Sequence, residues 1–181
     1  MRPCEDNENA AVVAACHGDV EALARLYERY YAIMVWVAYA VLLDRGLAED
    51  AAQQAFVTAC EKLHGLRRPD RFGPWLTTIC RHTAQDLRRS RRREAALQKG
   101  FVSAVQAEPS SDGFDRAVKE AVDHLPLPYR EVVVLHYYNG MSYKEIESVL
   151  RLSGDRVKGR LARARRWMEA YLAKEGFRRE T

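Results

Sequence analysis

From Asp19 onward, apolar residues recur in alternating steps of three and four: Val20, Leu23, Tyr27, Tyr30, Met34, Val37 and Val41. That spacing follows the turn of an α-helix, and Asp19 suits its N-cap because a carboxylate can accept from a helix-end N–H. Gly18, just upstream, ends a short first helix that carries Val12, Val13 and Cys16. Asp44-Arg45-Gly46 breaks the pattern, and a third helix is predicted over about 47–63. Ala52, Phe56, Ala59 and Leu63 share one side of it, with Glu49, Asp50 and Gln53 off that side. Gly65 to Asp70 reads as a loop holding Arg67 and Arg68. Pro74 fits the first turn of a fourth helix running to about Arg93, with Leu76, Ile79, Cys80, Thr83 and Leu87 as its inward stripe. No stretch alternates as a strand would, so the fold class expected is all-α.

The periodicity fails over 94–113, which ends in Glu108-Pro109-Ser110-Ser111-Asp112-Gly113. Such a composition makes a flexible linker, and it divides the chain into helical domains at 1–93 and 114–181. The second domain opens with helices near 114–124 and 129–138, separated by a Pro126/Pro128 corner and stopped by Asn139-Gly140. Ser142-Tyr143-Lys144-Glu145 is then a capping box, flanked by Met141 and Ile146 at the staple positions. Arg151-Leu152-Ser153 supplies a turn and a second N-cap, with Leu152 and Val157 repeating the staple. Two capped helices one tight turn apart, the second longer and basic, describe a helix-turn-helix.

Angular placement sharpens that second helix. At about 100° per residue, Val157, Leu161, Ala164, Met168 and Tyr171 fall in one stripe that must pack inward. Gly159, Ala162, Arg163 and Arg166 lie opposite, with Lys158 and Arg165 on one flank and Arg156 and Arg160 on the other. Small residues in the middle of a cationic face let a helix seat in a major groove while the flanking cations meet phosphates. The fourth helix repeats the theme with Thr78, Arg81, Gln85, Arg88, Arg89 and Arg92 outward. Phe72 and Trp75, beside the arginine loop, have the chemistry to stack on unpaired bases, and a place in the core fits Trp75 equally well.

The chain carries 29 Lys+Arg against 25 Asp+Glu, a net charge of +4. By segment the net charge is −5 for 1–65, +7 for 66–100, −3 for 101–125 and +5 for 126–181. Two basic blocks behind two acidic ones point to a polyanion gripped in two places, and an acidic surface left for another partner. With 48% apolar and 30% charged residues the chain reads as globular. The longest apolar run, Tyr31–Leu43, has 13 residues, short of the roughly 18–20 of a membrane span, so no membrane insertion is expected. The polar N-terminus predicts no export signal, and the cysteines at 4, 16, 60 and 80 form no CxxC pair. Reduced thiols in a cytoplasm follow. Metal chemistry finds no support: Cys80 and His82 stand two apart on one helix and do not face each other, and Cys16-His17 lacks a third ligand. A glycine-rich phosphate loop is also absent from the sequence, so neither a metal nor a cofactor is expected.

These residues resemble a family. Gly18-Asp19-Val20-Glu21-Ala22-Leu23, Ala48 to Phe56, Pro74-Trp75-Leu76-Thr77-Thr78-Ile79, Leu125-Pro126, Met141 to Ile146 and Val157-Lys158-Gly159-Arg160-Leu161 run in the order of a bacterial sigma factor of the extracytoplasmic-function (ECF) class. The resemblance covers about 12–172 and implies sigma region two in the first domain and sigma region four, with its helix-turn-helix, in the second. It implies core RNA polymerase as a partner, through the clamp helices of the largest subunit and the flap region. The contacts would come from Glu49, Asp50, Gln53, Gln54 and Phe56. Promoter DNA is the other partner. The minus-ten element would be read and melted by Arg67, Arg68, Arg71, Phe72, Trp75, Thr78, Arg81, His82, Gln85, Arg88 and Arg89. The minus-thirty-five element would be read by Ser153, Arg156, Lys158, Gly159, Arg160, Ala162, Arg163 and Arg166. An anti-sigma factor is a candidate regulator, no homo-oligomer is expected, and no covalent chemistry belongs to the sigma itself. The chain departs from the family pattern at His82, Glu147, Asp155, Arg156 and Gly159, which bears on promoter sequence. Two rivals are a helix-turn-helix repressor and a degenerate sigma recruited by another protein; the repressor leaves the acidic helix and the Trp75 loop without a role.

Overall fold

The computed structural model describes residues 3–97 and 113–177; the middle of the predicted linker lies outside them. Every regular element among the described residues is helical, and the chain divides into two compact units, Met1–Gly100 and Phe101–Thr181.

The first unit contains α1 (Pro3–Cys16), α2 (Val20–Leu42), α3 (Arg45–Lys62) and α4 (Phe72–Leu97), with one-turn 3₁₀ segments at Leu63–Gly65 and Pro69–Arg71. Asp19 caps α2 by accepting from the Ala22 N–H at 2.9 Å, and Asp44 caps α3 by accepting from Leu47 at 3.0 Å. Between them Leu43 takes a left-handed φ of 55° and returns its N–H to the Tyr39 carbonyl at 2.8 Å, which turns α2 into α3. Helices α2, α3 and α4 pack on one another, and α1 lies on α2. The contact face of α3 is almost all alanine: Ala48, Ala51, Ala52, Ala55 and Ala59 are buried. Side chains that short allow two neighbouring helices to approach closely.

Two predicted stripes differ from the packing found. On α2 the buried line is Ala22, Leu26, Tyr30, Met34, Val37 and Val41, whereas Val20 is 75% exposed and Tyr27 38%. On α4 the fully buried residues are Phe72, Leu76, Thr77, Cys80 and Ala84, while Ile79, Thr83 and Leu87 are half-buried. The stripe is rotated because α4 faces both α2 and α3, and small side chains fit where two helices converge. Cys80 donates its thiol to the Met34 carbonyl at 3.3 Å, and burial pushes its pKa up to about 12.

The second unit contains α5 (Gly113–Asp123), α6 (Leu127–Val133), a π-helical turn at Val134–Tyr138, α7 (Tyr143–Leu150) and α8 (Gly154–Lys174). Helices α5, α6 and α7 all pack on α8 around Val132, Val133, Ile146, Val157 and Leu161. Arg130 is buried and donates to the Asp123 carbonyl at 2.8 Å, which ties α6 to the end of α5. The helix predicted over 129–138 changes its hydrogen bonding part-way, so its last turn is wider than an α-helix. Gly140 follows at a φ of 64°, in the left-handed region where a side chain is unfavourable.

Candidate nucleic-acid and protein interfaces

The capping box that starts α7 is complete. Glu145 N–H donates to Ser142 Oγ at 3.4 Å, and Ser142 N–H donates to Glu145 Oε2 at 2.8 Å. Arg151, left-handed at a φ of 53°, makes the turn, and α8 leaves it with Val157, Leu161 and Ala164 buried. Met168 and Tyr171 are half-buried, so the inward stripe is the one the periodicity predicts. Arg156, Lys158, Ala162, Arg163 and Arg166 are exposed, and Gly159 and Arg160 half-buried. Among the described residues none of the ion pairs involves a cation of α8, so the charge of that face is not neutralised internally. Ser153 stands at the N-cap but its side chain makes no capping bond, unlike the expectation. Glu147 instead lies over the first turn: a Cβ on Gly154 would stand 2.6 Å from its Oε1. Gly154 therefore makes room for the carboxylate, and an anion at that end of a helix meets its positive pole.

The arginine loop and α4 form a second basic region. Arg67, Arg68 and Arg71 are exposed, but Asp70 is set among them. Arg68 donates to it twice, at 3.2 and 2.7 Å, and Arg71 lies 3.7 Å away. The Arg68 hydrogen bond holds the Asp70 carboxyl below its ordinary pKa. Phe72, expected as a stacking residue, is 2% exposed and meets Tyr30 edge-on at a centroid distance of 5.3 Å. It is a core residue, drawn inward because α4 begins there rather than at Pro74. Trp75, 6.0 Å from Phe72, keeps part of its ring in solvent. Along α4, His82 and Arg89 are exposed and Arg81, Gln85 and Arg88 half-buried. Thr78 spends its hydroxyl on the Pro74 carbonyl at 2.9 Å. Further along, Asp86, Arg89, Arg92 and Arg93 line an open hollow of about 540 Å³ in which Arg89 pairs with Asp86 at 2.9 Å.

The acidic helix presents a third surface. Asp50, Gln53 and Gln54 are exposed, and Glu49 is half-buried and pairs with Arg45 at 3.0 Å. Phe56 is 5% exposed, under Tyr27 at a centroid distance of 4.8 Å. It floors an open apolar hollow of about 350 Å³ whose other walls are Val20, Leu23, Ala24, Tyr27, Glu28 and Cys60. Val57, next to Phe56, is 52% exposed. Sequence reasoning missed this hollow because it assigned Val20, Leu23 and Tyr27 to the core. The signal available was that both helices are apolar beside an acidic, amide-rich face. Cys16, Cys60 and Cys80 are free thiols, and no cluster of three or more potential metal ligands occurs among the described residues. None of the described helices is long and apolar enough to cross a membrane.

A helix-turn-helix with an unneutralised cationic face and a separate basic helix-and-loop are what a DNA-binding protein presents, and the acidic face beside an apolar hollow is a third, chemically distinct surface. Comparisons with known proteins agree. The family model for Sigma-70 region 2 matches residues 26–94, and that for Sigma-70, region 4, matches 115–168. The "Probable RNA polymerase sigma factor RfaY" of Xanthomonas campestris pv. campestris is 32% identical over 83% of this chain, which spans 40% of that protein's length. The ECF RNA polymerase sigma factor SigM of Bacillus subtilis is 26% identical over 80% of this chain and 91% of its own. The solved structure of CnrH in complex with the cytosolic domain of CnrY superposes with a TM-score of 0.68 and 28% identity, covering 92% of this chain and 97% of that one. The sigma factor RpoE of Bartonella quintana, solved with the anti-sigma factor NepR, shares the fold at a TM-score of 0.74 and 23% identity over 83% of this chain and 96% of its own. The chain belongs to the sigma-70 family of RNA polymerase sigma factors, in the ECF class. It is a promoter-directing transcription initiation factor built on sigma regions two and four.

Proposed function

We propose that the three surfaces divide the work of initiation. Asp50, Gln53 and Gln54, with Glu49 beside them, face the clamp helices of core RNA polymerase, and the hollow floored by Phe56 receives an apolar side chain from the same partner. Trp75 and the loop carrying Arg67, Arg68 and Arg71 take an extruded base of the minus-ten element while His82, Gln85, Arg88 and Arg89 follow the backbone. Helix α8 enters the major groove at the minus-thirty-five element, with Ala162 and Gly159 at closest approach and Arg156, Lys158, Arg160, Arg163 and Arg166 around them. The residues between 94 and 113 link the two readers through polymerase, and the flap region meets the second unit. The protein does no covalent chemistry of its own, acts in the cytoplasm, and answers to an anti-sigma factor, the kind of partner with which RpoE of Bartonella quintana, a relative of its fold, is solved.

The observation that carries this reading is the α8 face: Arg156, Lys158, Arg160, Arg163 and Arg166, none of them in an ion pair among the described residues, on the second helix of a helix-turn-helix. The test is Lys158→Ala and Arg163→Ala in the full chain, with affinity for a minus-thirty-five duplex and for core polymerase measured separately. DNA affinity falls and core affinity stays. Parallel loss of both would overturn the division, and DNA binding by a chain that never binds core enzyme would favour the repressor.

A further inference from the structure

Helix α1 has no part in the three surfaces, yet one of its carboxylates is the centre of a network that ends at the promoter-reading loop. Glu8 accepts a hydrogen bond from the Tyr30 hydroxyl and pairs with Arg29 at 2.8 Å. The Glu8 side chain is 18% exposed and Tyr30 is 9% exposed, so the bond is shielded from water. The other side of the Tyr30 ring lies against the start of α4. Phe72 meets it edge-on, and a Cβ at Gly73 would stand 3.1 Å from its hydroxyl oxygen and 3.3 Å from Cε1. Gly73 is thus the position that lets tyrosine reach past α4 to Glu8. Phe72 in turn carries Trp75 at 6.0 Å.

Helix α1 also touches both 3₁₀ turns of the loop, Leu63–Gly65 and Pro69–Arg71. At its far end, Cys16 donates its thiol to the Leu63 carbonyl at 3.3 Å. The loop that carries Arg67 and Arg68 is therefore bracketed by one helix, at its entry through Cys16 and at its exit through Glu8 and Tyr30. A loop that must hold an unstacked base in one orientation gains affinity from being ordered before the base arrives. We infer that Glu8 and Tyr30 are positioning residues for minus-ten recognition: through Phe72 and Gly73 they fix the first turn of α4, and with it Trp75 and the arginine loop, in the geometry that receives the extruded base.

The inference rests on the assignment of Trp75 and its loop to the minus-ten element, and the experiment separates the two. Holoenzyme is assembled from core polymerase and the full chain, carrying Tyr30→Phe, Glu8→Ala or Glu8→Gln. Three affinities are measured: for core, for the minus-thirty-five duplex, and for a fluorescent single-stranded non-template oligonucleotide from a promoter that the wild-type holoenzyme transcribes. Tyr30→Phe keeps the ring and removes the bond; Glu8→Ala removes the acceptor; Glu8→Gln keeps an acceptor for the hydroxyl. The expected result is roughly fivefold or greater weakening of the single strand for the first two, the cost of one hydrogen bond in the ordered loop. Glu8→Gln restores binding, and core and duplex affinities do not change. Single-strand affinity at the wild-type level in Tyr30→Phe and Glu8→Ala overturns the inference, and so does equal loss at all three ligands, which marks a general folding role. Failure of the wild-type holoenzyme to bind the oligonucleotide removes the minus-ten assignment itself, and this inference with it.

Discussion

Phe72 and Trp75 stand three residues apart at the start of one helix, and truncating them is expected to give opposite results. Phe72 is 2% exposed, packed edge-on against Tyr30 at 5.3 Å, and among the largest fully buried side chains. Removing a buried phenylalanine loses its transfer free energy and leaves a cavity between α2 and α4, costing about 3–5 kcal/mol. For a unit of this size each kcal/mol lowers the melting temperature by roughly 4–8 °C, so Phe72→Ala should lower it by at least ~12 °C. Trp75 keeps part of its ring in solvent, and Trp75→Ala should move the melting temperature far less. Its cost falls on binding: a base–aromatic stack is worth about 1–3 kcal/mol, or roughly fivefold to a hundredfold in single-strand affinity. Thermal unfolding by circular dichroism and fluorescence anisotropy with a minus-ten oligonucleotide, both on the full chain, measure the two effects. Phe72→Leu, which refills much of the space, should recover most of the stability. The reasoning is refuted if Phe72→Ala melts with the wild type but loses the oligonucleotide, or if Trp75→Ala is the variant that unfolds.

Asp70→Asn releases Arg68 and Arg71 from a carboxylate that holds them at 2.7 and 3.7 Å. Single-strand binding should tighten and its salt dependence steepen by up to about 0.7 in the log–log slope for each phosphate gained; an unchanged slope contradicts this. Gly154→Ala pushes the flexible Glu147 carboxylate from its place 2.6 Å from the new Cβ. Folding should survive, and minus-thirty-five affinity should change through the charge at the α8 start, measured as a duplex titration at two salt concentrations. Cys80, with its pKa pushed up to about 12, is protonated in the folded chain where an unfolded thiol is already ionised. Its contribution to stability is full below the ordinary thiol pKa near 9 and is lost as pH rises through about 12. Cys80→Ala should therefore flatten the fall of stability with rising pH in urea unfolding.

Helix α8 was legible because its two sides differ sharply: Val157, Leu161 and Ala164 are its deeply buried residues, and Arg156, Lys158, Arg163 and Arg166 are exposed away from that stripe. The capping box was legible because Ser142 and Glu145 act on their own backbone. Stripes on α2 and α4 were harder. Periodicity counts Val20 and Tyr27 as core, although they stand 75% and 38% exposed at the rim of a hollow, and it passes over Ala84 and Thr77, which are buried by converging helices. Phe72 illustrates the same limit: an aromatic beside a basic loop has stacking chemistry, and only the start of α4 decides that the ring faces inward. The π-turn at Val134–Tyr138, a change in backbone hydrogen bonding, and the Glu147–Gly154 contact leave no mark in the hydrophobic pattern.

In the proposed division of labour, one exposed acidic face couples this chain to polymerase while other surfaces choose the DNA. Transcription from a library of promoter fragments, with purified chain and core polymerase, tests it directly when Asp50, exposed on α3, is changed to Lys. The wild-type chain should yield sequence-dependent transcripts and Asp50→Lys should abolish them while binding the minus-thirty-five duplex as tightly as before. Transcripts undiminished by the charge reversal would contradict the account.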